Sequence, residues 1–332
     1  MDEARIVRAH GGGGLLTREL LGGVILPALG GAEGPLPDAA AVPGAGGLMF
    51  TTDAFVVKPL FFRGGDMGSL AVHGTVNDLA VSGAEPLALS LALVLEEGLP
   101  VETLRRVLES AAAAARACGV RIVTGDTKVV ARGEADQMFA VTAGVGRGIL
   151  RVSPAGLREG DVVLLSGSIA DHGVAVLSER DGLAFDSTVR SDSAAVWPLV
   201  RALAEAGVEV HTMRDPTRGG LAACCVELAA DSGVTIELDE SAIPVRPSVR
   251  AACEMLGLDP LTVANEGKLV AVVPERDGGR ALEALRAEPL GAEAVVAGRV
   301  AAKRAVPVVL RTRHGGERVV EMPYGEELPR IC

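Results

Sequence analysis

The chain has 332 residues, a formal net charge of -11 and an isoelectric point near 5.1. This length suggests about two domains and permits a sizeable core. The acidic balance and an aromatic content of only 2% argue against a nucleic-acid-binding surface.

Membrane segments, disulfides and zinc sites also find no support in the sequence. Apolar segments are interrupted by charged residues, Gly or Pro before they reach about 18 residues, and the N-terminus lacks a charged-then-apolar signal pattern. The five cysteines form neither a CxxC pair nor a metal-ligand spacing. We therefore expect a cytoplasmic protein that binds neither nucleic acid nor membrane.

Residues 1–47 are predicted to form a glycine-rich N-terminal segment. His10 is followed by four glycines, Gly11 to Gly14, and then by a leucine-rich stretch that can open a helix. Such a loop can offer backbone N–H groups to an anion. A flexible linker fits equally well, because the spacing matches neither a dinucleotide-binding loop nor a P-loop. Residues 31–47, rich in Gly, Ala and Pro, are predicted to be a loop.

An N-terminal domain is predicted over residues 48–152. Its first strand, 48–57, carries Asp53 in the middle, and a buried unpaired carboxylate is unfavourable, so we expect Asp53 to face a partner or a metal. A helix and further strands give the order β-α-β-α-β-β, typical of a ferredoxin-like half. These segments are a strand at 86–95, a helix at 101–118 and strands at 120–130 and 137–144.

The first helix of this domain carries two polar residues of interest. Asp66 is a candidate N-cap, and the helix is predicted to end near Ser82, before Gly83. Asn77 and Asp78 stand in apolar surroundings within it, which weakens the alternative that they are ordinary exposed residues.

The third strand is interrupted by the polar run Thr124-Gly125-Asp126-Thr127-Lys128. Local inconsistency of this kind is typical of functional sites. A bulged edge strand is the alternative interpretation.

A C-terminal α+β domain is predicted over residues 153–321. A strand at 208–213 ends in Arg214-Asp215-Pro216-Thr217-Arg218-Gly219-Gly220, immediately before a helix at 221–231. This segment brings together a carboxylate, two arginines and a helix N-terminus. Such a combination can bind a phosphate and its metal. The alternative is a helix cap by Asp215 or Thr217. Further helices are predicted at 190–206 and 279–286, with strands at 161–166, 269–273, 294–300 and 306–311.

Two features near the end of the chain complete the candidate chemistry. Glu266 and Lys268 precede a strand and, taken alone, predict a solvated surface pair. Residues 322–332 contain two prolines and two glutamates, which predict a mobile tail carrying Cys332 at its end. Ten residues at about 3.3 Å each let that thiol travel about 30 Å, so it can be presented outside or threaded into a cleft.

The acidic positions as a set indicate magnesium. Oxygen ligands without a neighbouring His or Cys cluster suit this hard ion and do not suit zinc. Lys128 and Arg218 would then face the phosphates of a nucleotide. The candidate metal ligands are Asp53, Asp78, Asp126 and Asp215.

Six segments together resemble the HypE family of hydrogenase maturation factors, in the superfamily of aminoimidazole ribonucleotide synthetase and selenophosphate synthetase. The similarity covers essentially the whole chain, and the terminal Pro-Arg-Ile-Cys is its most discriminating part. One departure is the run of four glycines after His10, where the family places one small non-glycine residue. The segments are 52–53, 74–80, 124–128, 214–220, 265–268 and 329–332.

This resemblance implies a homodimer in which the N-terminal domains pack their sheets together, with ATP near that interface. It implies that HypF carbamoylates Cys332, that the thiocarboxamide is dehydrated with ATP to a thiocyanate, and that the cyano group passes to iron on HypC and HypD. Glu266 and Lys128 become candidates for handling the carbamoyl protons, and the four carboxylates become magnesium and phosphate ligands. The residues assigned to ATP are Asn77, Thr124, Gly125, Asp126, Lys128 and Arg218.

Two other functions stay open on sequence grounds. One is a small-molecule synthetase of the same superfamily, in which the tail is incidental. The other is a non-catalytic thiol carrier that binds nucleotide only to move its tail. Loss of water from a modified Cys332, coupled to ATP cleavage, separates the carbamoyl dehydratase from both.

Overall fold

The computed structural model describes residues 5–30, 34–180, 188–325, 328 and 330–332, which form two α+β domains. The strands are β1 (Ala40–Ala41), β2 (Leu48–Phe55), β3 (Phe61–Phe62), β4 (Gly65–Asp66), β5 (Ala84–Glu96), β6 (Arg121–Val130), β7 (Met138–Gly148), β8 (Val162–Leu165), β9 (Thr212–Arg214), β10 (Thr235–Asp239), β11 (Val270–Val273), β12 (Val295–Ala301), β13 (Val308–Arg311) and β14 (Glu317–Val319). The helices are α1 (Leu15–Leu20), α2 (Leu26–Ala28), α3 (Met67–Val81), α4 (Val101–Ala117), α5 (Asp171–Ser178), α6 (Trp197–Glu205), α7 (Gly220–Ser232), α8 (Pro247–Leu256) and α9 (Glu275–Ala287). Within the described ranges, none of these helices combines the length and apolar character needed to cross a bilayer.

The N-terminal domain is a five-stranded sheet in the order β1-β2-β7-β5-β6, with α3 and α4 on one face. β2 and β5 both pair antiparallel with β7, and β6 pairs parallel with β5 at the edge. The predicted β-α-β-α-β-β order is therefore observed. The opposite face of the sheet carries no helix among the described residues.

Helix α3 begins and ends where the sequence predicts. The Asp66 carboxylate accepts hydrogen bonds from the backbone N–H groups of Gly68 and Ser69 at 2.7 and 3.1 Å, which satisfies donors of the first turn. Gly83, with φ of +76°, follows the last turn. At Gly68 a Cβ would lie 2.0 Å from the Val107 carbonyl oxygen, so this glycine permits the close approach of α4.

The C-terminal domain is a seven-stranded sheet in the order β14-β13-β10-β12-β8-β11-β9, covered on both faces. β8 shows why: Val162 and Leu164 pack against α6 and α9, while Val163 and Leu165 pack against α7. This period of two in an entirely apolar strand is expected for a sheet between helical layers. The two-domain α+β architecture predicted from the sequence is confirmed.

One helix boundary was predicted wrongly. Residues 190–196 were placed in a helix, but α6 begins at Trp197. The preceding backbone is bound instead by the side chain of Asn77, which donates to the Ala194 carbonyl and accepts from Val196 N–H. Tertiary hydrogen bonds outweigh the helical propensity of this segment.

The two domains share a hydrophobic seam. One cluster of buried side chains unites Phe55 and Leu60 of the first domain with Val174 and Val249 of the second. Leu328 and Ile331 of the C-terminal tail are buried in the same cluster. The end of the chain is thus packed between the domains.

Candidate active site

A cleft of about 520 Å³ opens between the two domains. β2 and α3 supply its walls from the first domain, and the loop between β9 and α7 supplies them from the second. Six residues predicted from the sequence line it together: Asp53, Asp78, Asp215, Arg218, Glu266 and Cys332.

A carboxylate cluster forms the acidic end of this cleft. Asp38, Asp78 and Asp215 each present an oxygen within 4.8 Å of the others. Asp78 also accepts a hydrogen bond from the Thr51 hydroxyl at 2.9 Å. Asp38 was not predicted, because it stands in a loop of Gly, Ala and Pro with no apolar period to mark it. Arg214 pairs with Asp38 at 3.3 Å and with Glu227 at 3.1 Å, which fixes that loop against the cluster.

The electrostatics of this cluster favour a cation. Burial, and then the neighbouring charges of Asp215, Asp53 and Asp38, raise the pKa of Asp78 well above its ordinary value. Burial and the charge of Asp38 raise the pKa of Asp215 to about 7, with Arg214 opposing the rise. The pKa of Asp53 is also raised, chiefly by burial. A set of buried oxygen donors that repel one another suits a hard divalent ion such as Mg²⁺.

Glu266 lies beside this acidic end with one carboxylate oxygen, Oε1, that has no hydrogen-bond partner among the described residues. The side chain is only 2% exposed. Burial, and then the charges of Asp215 and Asp53, raise its pKa well above the ordinary range, while Arg218 opposes the rise. The interpretation of Glu266 as a surface residue is wrong: the Glu266 backbone is bound to Asp192 and Ala194, which draw the loop into the seam between the domains.

Lys268 is likewise buried. Its ammonium lies 3.4 Å from Asp192 Oδ2, and both side chains are almost fully buried. The predicted solvated pair of Glu266 and Lys268 is therefore replaced by a buried pair of Lys268 and Asp192.

Arg218 provides positive charge in the same cleft. The charge interaction with Cys332 is the largest influence on its pKa, which is raised despite burial, and Asp53 and Glu266 act in the same direction. The predicted cap of α7 by Asp215 or Thr217 is not formed, since Gly219 is the N-cap residue and no side chain accepts from the first turn. The Asp215 side chain therefore lines the cleft instead of capping the helix.

The C-terminal tail occupies the seam beside Arg218. Val56 N–H donates to a terminal carboxylate oxygen of Cys332 at 3.1 Å, and Lys58 N–H donates to the Arg330 carbonyl at 3.1 Å. The Arg330 guanidinium donates back to the Val56 carbonyl at 2.8 Å and to Asp136 at 2.5 Å. These bonds tie the end of the chain to residues 56–58, the segment that directly follows β2, the strand that carries Asp53. This is an inward position of the tail; its mobility remains a prediction.

The glycine-rich loop near the N-terminus packs on the tail rather than forming a free linker. Leu15 N–H donates to the Pro323 carbonyl at 2.9 Å. A Cβ on Gly14 would lie 2.1 Å from that same carbonyl oxygen, and a Cβ on Gly13 would lie 2.7 Å from Arg218 Cβ. Close packing therefore explains glycine at both positions.

Asn77 is not among the described residues that line the cleft, and its assignment to the nucleotide stays a prediction. The residue is fully buried, and its amide donates to the carbonyls of Ala194 and Glu266 at 3.0 and 3.3 Å. Its oxygen accepts from Val196 N–H at 2.8 Å. Both ends of the amide are used by backbone, so Asn77 positions the Glu266 loop.

The polar run on β6 also lies away from the cleft within one chain. Asp53, Thr142, Leu91 and Gly125 form one row across four strands, and three spacings of about 4.8 Å separate its ends by about 14 Å. Asp126 is paired beside Ala92 on the face opposite to Asp53.

Within one chain, local contacts describe the four residues assigned to ATP on β6. Asp126 binds the ammonium of Lys128 at 2.6 Å on the exposed surface, and this bond is the main reason that the pKa of Asp126 is lowered. Gly125 is required by packing, since a Cβ there would lie 2.1 Å from the Leu91 carbonyl oxygen. Thr124 is exposed. Asp126 therefore does not join the metal cluster of its own chain.

Both halves of the chain match family models. The family described as AIR synthase related protein, N-terminal domain, matches residues 37–148, and its C-terminal domain matches residues 158–311. The carbamoyl dehydratase HypE of Cupriavidus necator is 50% identical to this chain over 338 residues, covering 100% of the chain and 96% of that protein.

Solved structures agree with these matches. HypE in a HypE–HypF complex superposes with a TM-score of 0.87 at 43% identity, covering 92% of this chain and 99% of that one. HypE in complex with ATP superposes with a TM-score of 0.83 at 44% identity, covering 99% of this chain and 100% of that one.

Proposed function

The chain belongs to the AIR synthase related family and, within it, to the carbamoyl dehydratases called HypE, and from this membership we propose its reaction. It uses ATP to remove water from an S-carboxamide on its own Cys332, and the resulting thiocyanate supplies the cyanide ligand of the [NiFe]-hydrogenase iron centre. The observation that carries this proposal is the position of the C-terminal tail. Cys332 lines the same cleft as the acidic cluster, Arg218 and Glu266.

Magnesium is the metal that the donor set fits. Asp38, Asp78 and Asp215 would hold it, with Asp53 nearby on β2, because all are carboxylates and their pKa values are raised by burial and then by one another's charge. Bound there, Mg²⁺ would neutralise the charge of the ATP phosphates. Arg218, which lines the same cleft, would bind negative charge of the phosphates.

The chemistry turns the amide oxygen into a leaving group. The thiocarboxamide oxygen on Cys332 attacks the γ-phosphorus of ATP, the bond to ADP breaks, and one N–H proton leaves. The carbon–oxygen bond then breaks, phosphate departs with the bonding pair, and loss of the remaining N–H proton forms the C≡N bond. Positioning and charge neutralisation are the main contributions the protein makes to such a transfer.

Glu266 is the proton acceptor that the geometry supports. Its Oε1 is buried without a partner, and a carboxylate with a raised pKa is a stronger base than an exposed one. Arg218 favours its charged form. The backbone contacts from Asn77 and Asp192 hold the residue beside the seat of Cys332.

A homodimer gives the polar run on β6 a role. Nine consecutive residues of this edge strand, 121–129, are exposed, among them Ile122, Val123 and Val129. Phe50 and Val141 are also exposed on the sheet, and an open edge with apolar side chains is typical of an interface. A second copy packed sheet to sheet would bring the partner subunit's Asp126 and the partner subunit's Lys128 toward ATP, since they cannot reach it within their own chain.

Other proteins must load and unload the cysteine. The dehydration starts from a carboxamide already attached to Cys332, and its product is a thiocyanate that must be passed on. A carrier thiol loaded by the carbamoyltransferase HypF and discharged to iron on HypC–HypD follows from this chemistry. The exchange is assigned to the cytoplasm.

Intact-mass measurement tests the reaction. The protein is incubated with HypF, carbamoyl phosphate and ATP, and then with excess Mg-ATP. We expect a carbamoyl-sized gain that afterwards falls by one water, absent in Cys332→Ala and preserved in Cys118→Ala, which removes a half-buried cysteine outside the cleft. An unchanged mass with continuing ATP hydrolysis would instead support the small-molecule synthetase. A carbamoyl gain that never loses water would support the carrier.

A further inference from the structure

His172 contacts the tail one residue before the cysteine. Its Nε2 lies 2.6 Å from the carbonyl oxygen of Ile331, and its Nδ1 lies 2.8 Å from the Ser191 hydroxyl. A carbonyl oxygen can only accept, so Nε2 carries the proton and donates it. Nδ1 then accepts from the Ser191 hydroxyl, and both ring nitrogens are in use.

The ring is locked in this orientation from several sides. His172 is fully buried, and Phe62 packs edge-on against it with ring centroids 5.5 Å apart. Ser191 is itself held, because its hydroxyl accepts from Ser193 N–H at 3.0 Å and its N–H donates to the Arg63 carbonyl at 2.7 Å. Burial lowers the pKa of His172, with Asp192 opposing, so the neutral ring is favoured.

The backbone just before His172 adopts a strained conformation that the Asn265 side chain holds in place. Ala170 has φ of +72°, a left-handed conformation that is unfavourable for residues with a Cβ. The Asn265 side chain holds it by accepting from Ala170 N–H at 2.8 Å and by donating to the Pro216 carbonyl at 2.8 Å. Asn265 therefore ties the start of α5 to the loop of Asp215 and to the adjacent Glu266.

From this geometry we propose that His172 is a positioning residue, which holds the Ile331 carbonyl and thereby presents the Cys332 sulfur to the cleft. Only the expected effect of His172 on dehydration rests on the proposed function. The contact itself predicts how well the tail is held, whatever reaction follows. A histidine that served only to fill the core would leave the exposure of Cys332 unchanged when replaced.

Alkylation of Cys332 tests the contact directly. The full chain is treated with iodoacetamide, with and without Mg-ATP, and the C-terminal peptide is followed by mass spectrometry. Removing a donor from a buried carbonyl weakens the inward state, so we expect His172→Ala to be alkylated about tenfold faster than wild type. His172→Gln should restore slow alkylation, because its amide N–H can replace Nε2–H.

His211→Ala is the matched control, since His211 is also buried in the second domain but bonds Asp161 and Glu209. It should alkylate as wild type does, which separates loss of the contact from general destabilisation. Equal rates in wild type, His172→Ala and His172→Gln would overturn the proposal, and so would equally fast rates in the two alanine variants.

The dehydration assay separates this inference from the proposed function. Carbamoylation of Cys332 should be retained in His172→Ala, whereas the ATP-dependent loss of water should slow by up to about tenfold and recover in His172→Gln. Faster alkylation of His172→Ala, with no loss of water even in wild type, would uphold the contact and overturn the function. Normal dehydration together with unchanged alkylation in His172→Ala would uphold the proposed function and overturn the role of His172.

Discussion

Replacing Asp215 by Asn should stabilise the metal-free protein while removing activity. Asp215 is buried beside Asp38, and its pKa is raised from 3.8 to about 7. An acid with a raised folded-state pKa holds its proton after the unfolded chain has lost it. The free energy of unfolding therefore falls as pH rises from 3.8 to about 7, and the full penalty is present above that range.

The size of the effect follows from the shift. At pH 8 the whole shift of about three pKa units applies, and at 1.36 kcal/mol per unit the ionised Asp215 lowers the free energy of unfolding by about 4 kcal/mol. At pH 5 only the interval between 3.8 and the solution pH counts, which gives about 2 kcal/mol. Asp215→Asn removes this penalty, so its advantage over wild type should grow with pH by about 2 kcal/mol between these conditions. The loss of negative charge also lowers the pKa of Asp78, which adds to the gain.

Urea titration in EDTA, followed by the fluorescence of Trp197, the single tryptophan, measures this difference. Glu109→Gln, on the exposed face of α4, is the control and should change little at either pH. Adding Mg²⁺ should stabilise wild type more than the variant. An Asp215→Asn protein that is less stable than wild type at pH 8, or a difference that does not depend on pH, would refute the reasoning.

Three further outcomes are expected. Glu266→Gln should keep carbamoylation of Cys332 but slow the loss of water by about 10²- to 10⁴-fold in the intact-mass assay, and an unimpaired rate would exclude Glu266 as the base. Val129→Glu, on the exposed edge strand β6, should convert the dimer to a monomer in light scattering. Val101→Glu is the control, because Val101 is equally exposed but lies on α4, and it should remain a dimer. If both variants were dimers, the interface would not lie on β6. Asn77→Ala should lower the free energy of unfolding by about 1–3 kcal/mol in urea titration, because Val196 N–H and two carbonyls lose a buried partner, and an unchanged midpoint would contradict its positioning role.

The secondary structure was predictable wherever a local signal sets the boundary. Asp66 and Gly83 mark α3 with a cap and a left-handed stop, and both are found as predicted. The site was predictable only in part, since Asp53, Asp78, Asp215, Arg218 and Glu266 do meet in one cleft.

What the sequence alone does not locate is the surroundings of residues that are set by tertiary contacts. Asp38 enters the cluster through a loop held by Arg214, and nothing local marks it. Asp126 and Lys128 are separated from Asp53 by strand order and sheet face, which no local pattern contains. The resemblance assigns Asn77 to ATP, whereas its side chain in this structure is hydrogen-bonded to backbone groups of the other domain.

The inward position of the C-terminal tail suits a cysteine that must leave the cleft and return to it. Its contacts at Arg330, Ile331 and Cys332 combine hydrogen bonds, each worth about 0.5–1.5 kcal/mol net, with the burial of Ile331 between the domains. Ordering the backbone opposes these contacts by about 1–2 kcal/mol per residue. Loss of the contact from the His172 ring, or a ligand bound at the neighbouring Asp53, shifts the balance between the inward and outward positions of the tail. Asp53 lies on β2, and the backbone that bonds the tail, at Val56 and Lys58, follows this strand directly, so metal binding and cysteine placement involve adjacent parts of the chain.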